Sequence, residues 1–217
     1  MNLFLKGVMH IICKVEYREF YKTLSKNKPL ILAINHVNFL EVPMLVSHGY
    51  PLYLTGLAKA ETWKNPLFSF LFNTYKAIPI DREGSFQKAF DQVSNAISKG
   101  FYVIVAPEGT RSKDGVLRQG KAGIIRMALE ADSPVLPVAH YGGENIWKNI
   151  KRFRRTPFCI KAGRPFKIKY DGVPGKSARE AILDEIMGQM ASLLPEDKRG
   201  IYASHAGQEC RYLEFLQ

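Results

Sequence analysis

Two patterns of apolar and polar positions alternate along the chain. Short apolar runs bounded by Gly, Pro, Asn or Asp predict buried strands at residues 30–34, 52–57, 77–80, 102–106, 135–139 and 158–162. Between them, apolar positions three and four apart predict helices over residues 41–47, 66–75, 85–99, 121–130 and 178–194. The helix over 85–99 has Ser85 as its N-cap and stops at Gly100, the expected start and stop chemistry. Strands alternating with helices predict the α/β class: a single domain with a largely parallel central sheet flanked by helices. No repeat and no Pro/Gly/Ser-rich linker divides the chain, so residues 23–199 are read as one α/β domain. Residues 200–217 carry no clear period and are expected to form a surface tail or a loosely docked extension.

The first 22 residues read differently. Leu3, Phe4, Leu5, Val8, Met9, Ile11 and Ile12 are interleaved with Lys6, His10, Lys14 and Arg18, which leaves no apolar run long enough to span a bilayer. Lys6 and His10 also break any signal-peptide core, and no small-x-small cleavage site follows before Arg18. The expectation for 1–22 is an amphipathic N-terminal helix at a membrane interface, the alternative being that its apolar stripe packs on the domain.

Composition narrows the class. With 217 residues, 46% hydrophobic and 24% charged, the chain excludes disorder, collagen-like repeats and an all-helical membrane bundle. Cys13, Cys159 and Cys210 are odd in number and far apart, which disfavours a disulfide framework or zinc ribbon and fits a reducing compartment. His10, His48, His140 and His205 have no consistent ligand spacing, so no metal is expected. Net charge is +11 and the sequence pI about 9.6, so an anionic partner is expected: nucleic acid, acidic lipid or a phosphorylated metabolite. The tract Lys148, Lys151, Arg152, Phe153, Arg154 and Arg155 is the candidate docking surface. A nucleic-acid-binding module would use such a tract for phosphate neutralisation and stacking. Yet no helix-turn-helix, zinc-finger or ribonucleoprotein signature accompanies it, and that reading leaves the strand-end chemistry unexplained.

In an open α/β sheet, ligands gather beyond the carboxyl ends of the strands. Past the 30–34 strand stand Asn35 and His36, with Glu41 five residues beyond His36 where a helix begins. An imidazole with a carboxylate on its other nitrogen is a general base with an orienting partner. Past the 102–106 strand come Glu108, Gly109, Thr110, Arg111 and Ser112, a turn whose glycine lets a ligand approach and whose guanidinium suits phosphate or carboxylate. Lys121 and Gly123 follow at a helix start, which would add positive potential to an anion site. A serine hydrolase is disfavoured because no Gly-x-Ser-x-Gly elbow is present, and each cysteine lies in a segment read as helix, strand or tail.

These residues, in this order, resemble the lysophosphatidic acid (1-acylglycerol 3-phosphate) acyltransferase family of glycerolipid acyltransferases. Its four sequence blocks have counterparts between Asn35 and Ala139. The first, Asn-His-x4-Asp, is matched by Asn35 and His36, with Glu41 in place of the aspartate. The second ends in Asp81-Arg82, with Lys76 where the family has glycine. The third, Glu-Gly-Thr-Arg, is matched in full by Glu108 to Arg111, and the fourth is the apolar-Pro-apolar strand Val135 to Ala139. The resemblance implies acyl transfer from acyl-CoA or an acyl carrier protein to the free hydroxyl of a lysophospholipid, with no cofactor. It implies His36 as the base and Glu41 as its orienter. Arg82, Glu108, Gly109, Thr110, Arg111 and Lys121 would bind substrate, at the cytoplasmic face of an anionic membrane in peripheral or monotopic association.

Overall fold

A computed structural model describes residues 2–80 and 87–216. The chain begins with α1 (Asn2–Ile12), β1 (Cys13–Glu16), α2 (Arg18–Lys26) and β2 (Ile31–Ile34). It continues through α3 (Glu41–Gly49), β3 (Leu54–Lys59), α4 (Pro66–Thr74), β4 (Ile78–Ile80), α5 (Gln87–Ser98) and β5 (Tyr102–Val105). Next come α6 (Gly123–Glu130), β6 (Val135–Tyr141), α7 (Ile146–Ile150), β7 (Thr156–Ala162), β8 (Phe166–Ile168), α8 (Lys176–Ser192) and β9 (Leu213–Phe215).

The strands form one sheet in the order β1-β7-β6-β2-β5-β3-β4, with β8 joining β6 and β9 joining β8. From β6 to β4 every pairing is parallel, whereas β7 and β8 run antiparallel to β6. Strand alternation explains the layering. Ile31 and Ala33 of β2, Val103 and Val105 of β5, and Val135 and Ala139 of β6 pack with Phe90, Ile124, Ile125, Ile182 and Ile186 from α5, α6 and α8. Leu32, Ile34, Ile104, Leu136 and Val138 point the other way, to Met9, Phe20, Leu24, Met44, Leu45 and Ile146 from α1, α2, α3 and α7. A sheet covered on both faces needs strands that are apolar throughout, which is why the central strands read as continuous runs.

Two expectations are corrected, and a third lies outside the described residues. The helix anticipated over 1–22 ends at Ile12. Cys13–Glu16 forms a strand paired in parallel with β7, since Cys13 and Val15 alternate with Lys14 and Glu16 at a period of two. Of α1 only Met9 is buried, while Leu3, Phe4 and Ile11 are 70%, 76% and 74% exposed. The segment 200–217 is no loose tail: β9 pairs antiparallel with β8, Leu213 and Tyr202 are buried, and the Tyr202 hydroxyl accepts from the Gly120 amide. Finally, the Ser85 cap lies outside the described residues, and the helix is described from Gln87.

Lys76 explains the glycine of its sequence block. It follows α4 with φ +52, and Lys76 N and Ala77 N close the helix end on Asn73 O and Phe72 O. That left-handed conformation is the one glycine adopts freely and an L side chain adopts at a cost.

Candidate active site

The carboxyl ends of β2, β5 and β6 lie side by side and carry the candidate residues. The buried Asn35 continues β2, and its side chain crosses to β6: Nδ2 donates to His140 O (2.9 Å) while Oδ1 accepts from His140 N (2.9 Å). This cross-link fixes the backbone one residue before His36.

His36 itself is clamped on both main-chain groups. Its N–H donates to Glu108 Oε1 (2.7 Å), and its carbonyl accepts from Ser112 N (2.7 Å). The other Glu108 oxygen accepts from Arg118 N (2.9 Å). Glu108, expected to bind substrate, is therefore corrected to a buried support: both its oxygens are occupied by backbone amides and it is sealed from solvent. Burial pushes its carboxyl up to about 7, against the lowering effect of the two amide hydrogen bonds.

The His36 ring is 23% exposed and bonds through Nδ1 to Glu41 Oε1. Glu41, at the first position of α3, is fully buried. Its Oε2 accepts from Val37 N (3.0 Å) and Asn38 N (2.9 Å) and faces His140 Nε2 at 3.4 Å. Burial alone would raise the Glu41 carboxyl; the bond to His36, the His140 and His36 imidazoles and the Asn38 amide outweigh it and hold it below the ordinary carboxylate range. With Nδ1 engaged, the Nε2 of His36 is the ring nitrogen left for a substrate proton.

Gly109 turns with φ +63, a conformation suited to glycine, and a Cβ there would lie 3.3 Å from the Cδ and Nζ of Lys121. The Lys121 side chain thus runs over the Gly109 backbone. Thr110, Arg111 and Lys121 are exposed, and Arg111 immediately precedes the Ser112 amide that bonds His36 O. Arg82 lies outside the described residues. At the α3 start, Leu40 N is taken by Asn38 Oδ1 as the Val37 and Asn38 amides are by Glu41, and Gly109 N goes to Ala106 O. None of these four amides is available to a developing oxyanion. Thr110 N and Arg111 N have no backbone partner among the described residues.

The rim beyond His36 is aromatic: Phe39 stacks on Trp147, with ring centroids 5.5 Å apart, and both are exposed. Next to it the basic tract folds back on the N-terminal segment, where the Arg155 guanidinium donates twice to Cys13 O (2.8 and 3.2 Å). Phe153 in that turn is fully exposed. Sequence reasoning missed His140 and the Asn35 cross-link. Their only signal was a polar pair at the ends of two strands predicted to be parallel.

The chain and its fold are similar to several known proteins. The chain is 32% identical over 157 residues to a 1-acyl-sn-glycerol-3-phosphate acyltransferase of Cocos nucifera, covering 70% of this chain and 49% of that protein. It is 30% identical over 120 residues to the Pseudomonas aeruginosa protein of the same name (54% and 46%), and 33% identical over 157 residues to an N-acylphosphatidylethanolamine synthase of Arabidopsis thaliana (64% and 54%). The chain thus spans about half the length of these relatives. The fold matches the crystal structure of the 1-acyl-sn-glycerophosphate acyltransferase PlsC from Thermotoga maritima with a TM-score of 0.61 at 23% identity, covering 85% of this chain and 74% of that one. The acyltransferase family profile matches residues 14–141, which take in β2, β5, β6 and every described site residue, and the chain belongs to the acyltransferase family.

Proposed function

We propose that this chain transfers a fatty acyl group from an acyl thioester, acyl-CoA or acyl carrier protein, to the free hydroxyl of a lysophospholipid, first of all 1-acylglycerol 3-phosphate. The observation that carries this reading is a partly exposed imidazole whose Nδ1 is tied to a buried carboxylate held below the ordinary carboxylate range. The names of the relatives support the same acceptor class.

In the reaction, the acceptor phosphate is held by Arg111 and Lys121, and by Arg82 where the sequence block supplies it. Its hydroxyl gives its proton to His36 Nε2 as its oxygen attacks the thioester carbon. The new C–O bond forms, the C–S bond breaks, and the proton passes from His36 to the departing thiolate. Glu41 keeps the Nδ1–H tautomer and balances the imidazolium that forms. Thr110 N and Arg111 N are the amides offered to the oxyanion. Anchoring the phosphate makes the hydroxyl's approach effectively intramolecular, which contributes at least as much as the roughly 10²–10⁴-fold of a general base.

The reading extends to peripheral binding on an anionic bilayer through Ile11, Phe153 and the tract from Lys148 to Arg155, where each cation near the surface contributes about 1 kcal/mol. No helix among the described residues is long and apolar enough to cross a membrane.

The test is thiol release from acyl-CoA across an acceptor panel that includes lysophosphatidic acid, larger lysophospholipids and phosphatidylethanolamine, with flotation on vesicles with and without acidic lipid. Acceptor-dependent release that His36→Ala abolishes without unfolding the protein is the expected result. Near-normal transfer by purified His36→Ala would refute the assignment of the base.

A further inference from the structure

We propose that His140 is a positioning residue for the reacting pair: its Nε2–H, held between Asn35 O and Glu41 Oε2, fixes the carboxylate that in turn fixes His36. The inference rests on reading His36 and Glu41 as that pair.

His140 sits at the end of β6 and is fully buried. Its main chain is locked to Asn35 by the two amide bonds described above, and its ring stacks flat on Phe158, with centroids 5.4 Å apart and planes 9° apart. The stack fixes the ring plane, and the contact of Nε2 with Asn35 O selects one of its two flips. In it, Nε2 lies 2.7 Å from Asn35 O and 3.4 Å from Glu41 Oε2, while Nδ1 is buried with no partner among the described residues. Two oxygens facing one nitrogen, and none facing the other, assign the proton to Nε2. The opposite tautomer would set a lone pair against two oxygens.

The longer side chain of Glu41 now has a consequence. One carboxylate oxygen serves His36, and the other meets two backbone amides and a second imidazole at once. His36 thus lies at the end of a buried relay from Phe158 through His140 and Glu41. The titratable groups facing this relay are His36, Glu41 and Glu108, the last bonded to the His36 amide. Removing the Nε2–H takes the positive end of a dipole, 3.4 Å from Glu41 Oε2, away from the anionic state of the pair more than from its protonated state. The pair then holds its proton more tightly, and a higher pH is needed to free His36 as a base.

The experiment compares His140→Phe, which keeps the stack on Phe158 and loses the N–H, with His140→Gln, whose amide N–H reaches about where Nε2 does. Steady-state kinetics give kcat, KM and the pH profile of kcat/KM. NMR titration of His36 in the resting protein reads the same coupling without turnover.

H140F is expected to lower kcat about tenfold with KM within about twofold, and to move the acid limb to higher pH by roughly half to one pH unit. H140Q is expected to restore kcat to within about threefold of wild type. Should H140F not fold, H140N, whose amide stops short of Glu41, takes its place. The proposal is overturned if folded H140F matches wild type within about twofold in kcat and in its acid limb. It is equally overturned if H140Q is as impaired as H140F while the limb stays in place. Should the wild type release no thiol with any acceptor, the activity reading fails on its own. The NMR comparison then decides, an unmoved His36 midpoint in H140F counting against the proposal.

Discussion

Two buried groups pull the pH dependence of stability in opposite directions, and removing either one should expose the other. Burial raises Glu108 from 4.5 to about 7. Between those values the folded protein holds a proton that the unfolded chain has released, so this contribution is full at low pH and is lost as pH rises through 7. His48 behaves inversely. Burial lowers it from 6.5 to about 4, with His10 and Lys6 adding repulsion: Nδ1 donates to Met44 O (2.8 Å), Nε2 is buried without a partner among the described residues, and His10 stacks on the ring at 5.0 Å. Here the unfolded chain binds the proton that the folded protein refuses, so stability is present above 6.5 and is lost as pH falls toward 4. At about 1.4 kcal/mol per pH unit, each group contributes about 2 kcal/mol between pH 5 and pH 7, with opposite sign. Wild type should therefore show a nearly flat stability over this range. His48→Phe, which keeps the stack on His10 and Tyr17, should lose about 2 kcal/mol from pH 5 to pH 7. Glu108→Gln should gain about as much over the same interval. Urea unfolding at four pH values measures all three slopes. Parallel curves for wild type and both variants would refute the reasoning, because the buried charges would then have no differential cost.

Other perturbations test the site more directly. Glu41→Gln must turn its amide either toward His36 or against the Val37 and Asn38 amides; kcat should fall by about 10³–10⁴ with KM little changed, as single-turnover thiol release would show. Arg111→Ala should raise KM for a phosphate-bearing acceptor about tenfold while leaving urea stability within about 0.5 kcal/mol, and an unchanged KM would refute the proposed phosphate-binding role of Arg111. Lys76→Gly relieves a left-handed residue at the loss of an ammonium 5.1 Å from the Phe101 ring, so stability should rise by about 0.5–1 kcal/mol in calorimetry or urea unfolding.

Much of this architecture could be read from residue order because the central strands are buried on both faces. Continuous apolar runs at 30–34, 102–106 and 135–139 correspond to β2, β5 and β6, whose ends carry the chemistry. The peripheral elements were harder. Cys13–Glu16 spans four residues with one buried position, too little for its period to stand out from the amphipathic stretch before it. The strand Leu213–Phe215 owes its place to pairing with β8, a non-local contact that no local pattern records. Site residues split along the same line. His36 and Glu41 were legible because they lie five residues apart, whereas His140 reaches Glu41 only because strand pairing sets it against Asn35, 105 residues away. Glu108 was misread for a related reason: a carboxylate in a strand-end turn suggests a ligand-facing group, and only tertiary packing turns it inward.

The turn from Glu108 to Ser112 has an inner edge and an outer edge. Inward, Glu108 and the Ser112 amide grip both main-chain groups of His36, so the shape of this turn and the location of the base cannot drift independently. Outward, Thr110 and Arg111 project from the same backbone without sharing that duty. A distortion of this turn would therefore be felt at His36, whereas exchanging an outer side chain would leave the anchorage of the histidine intact.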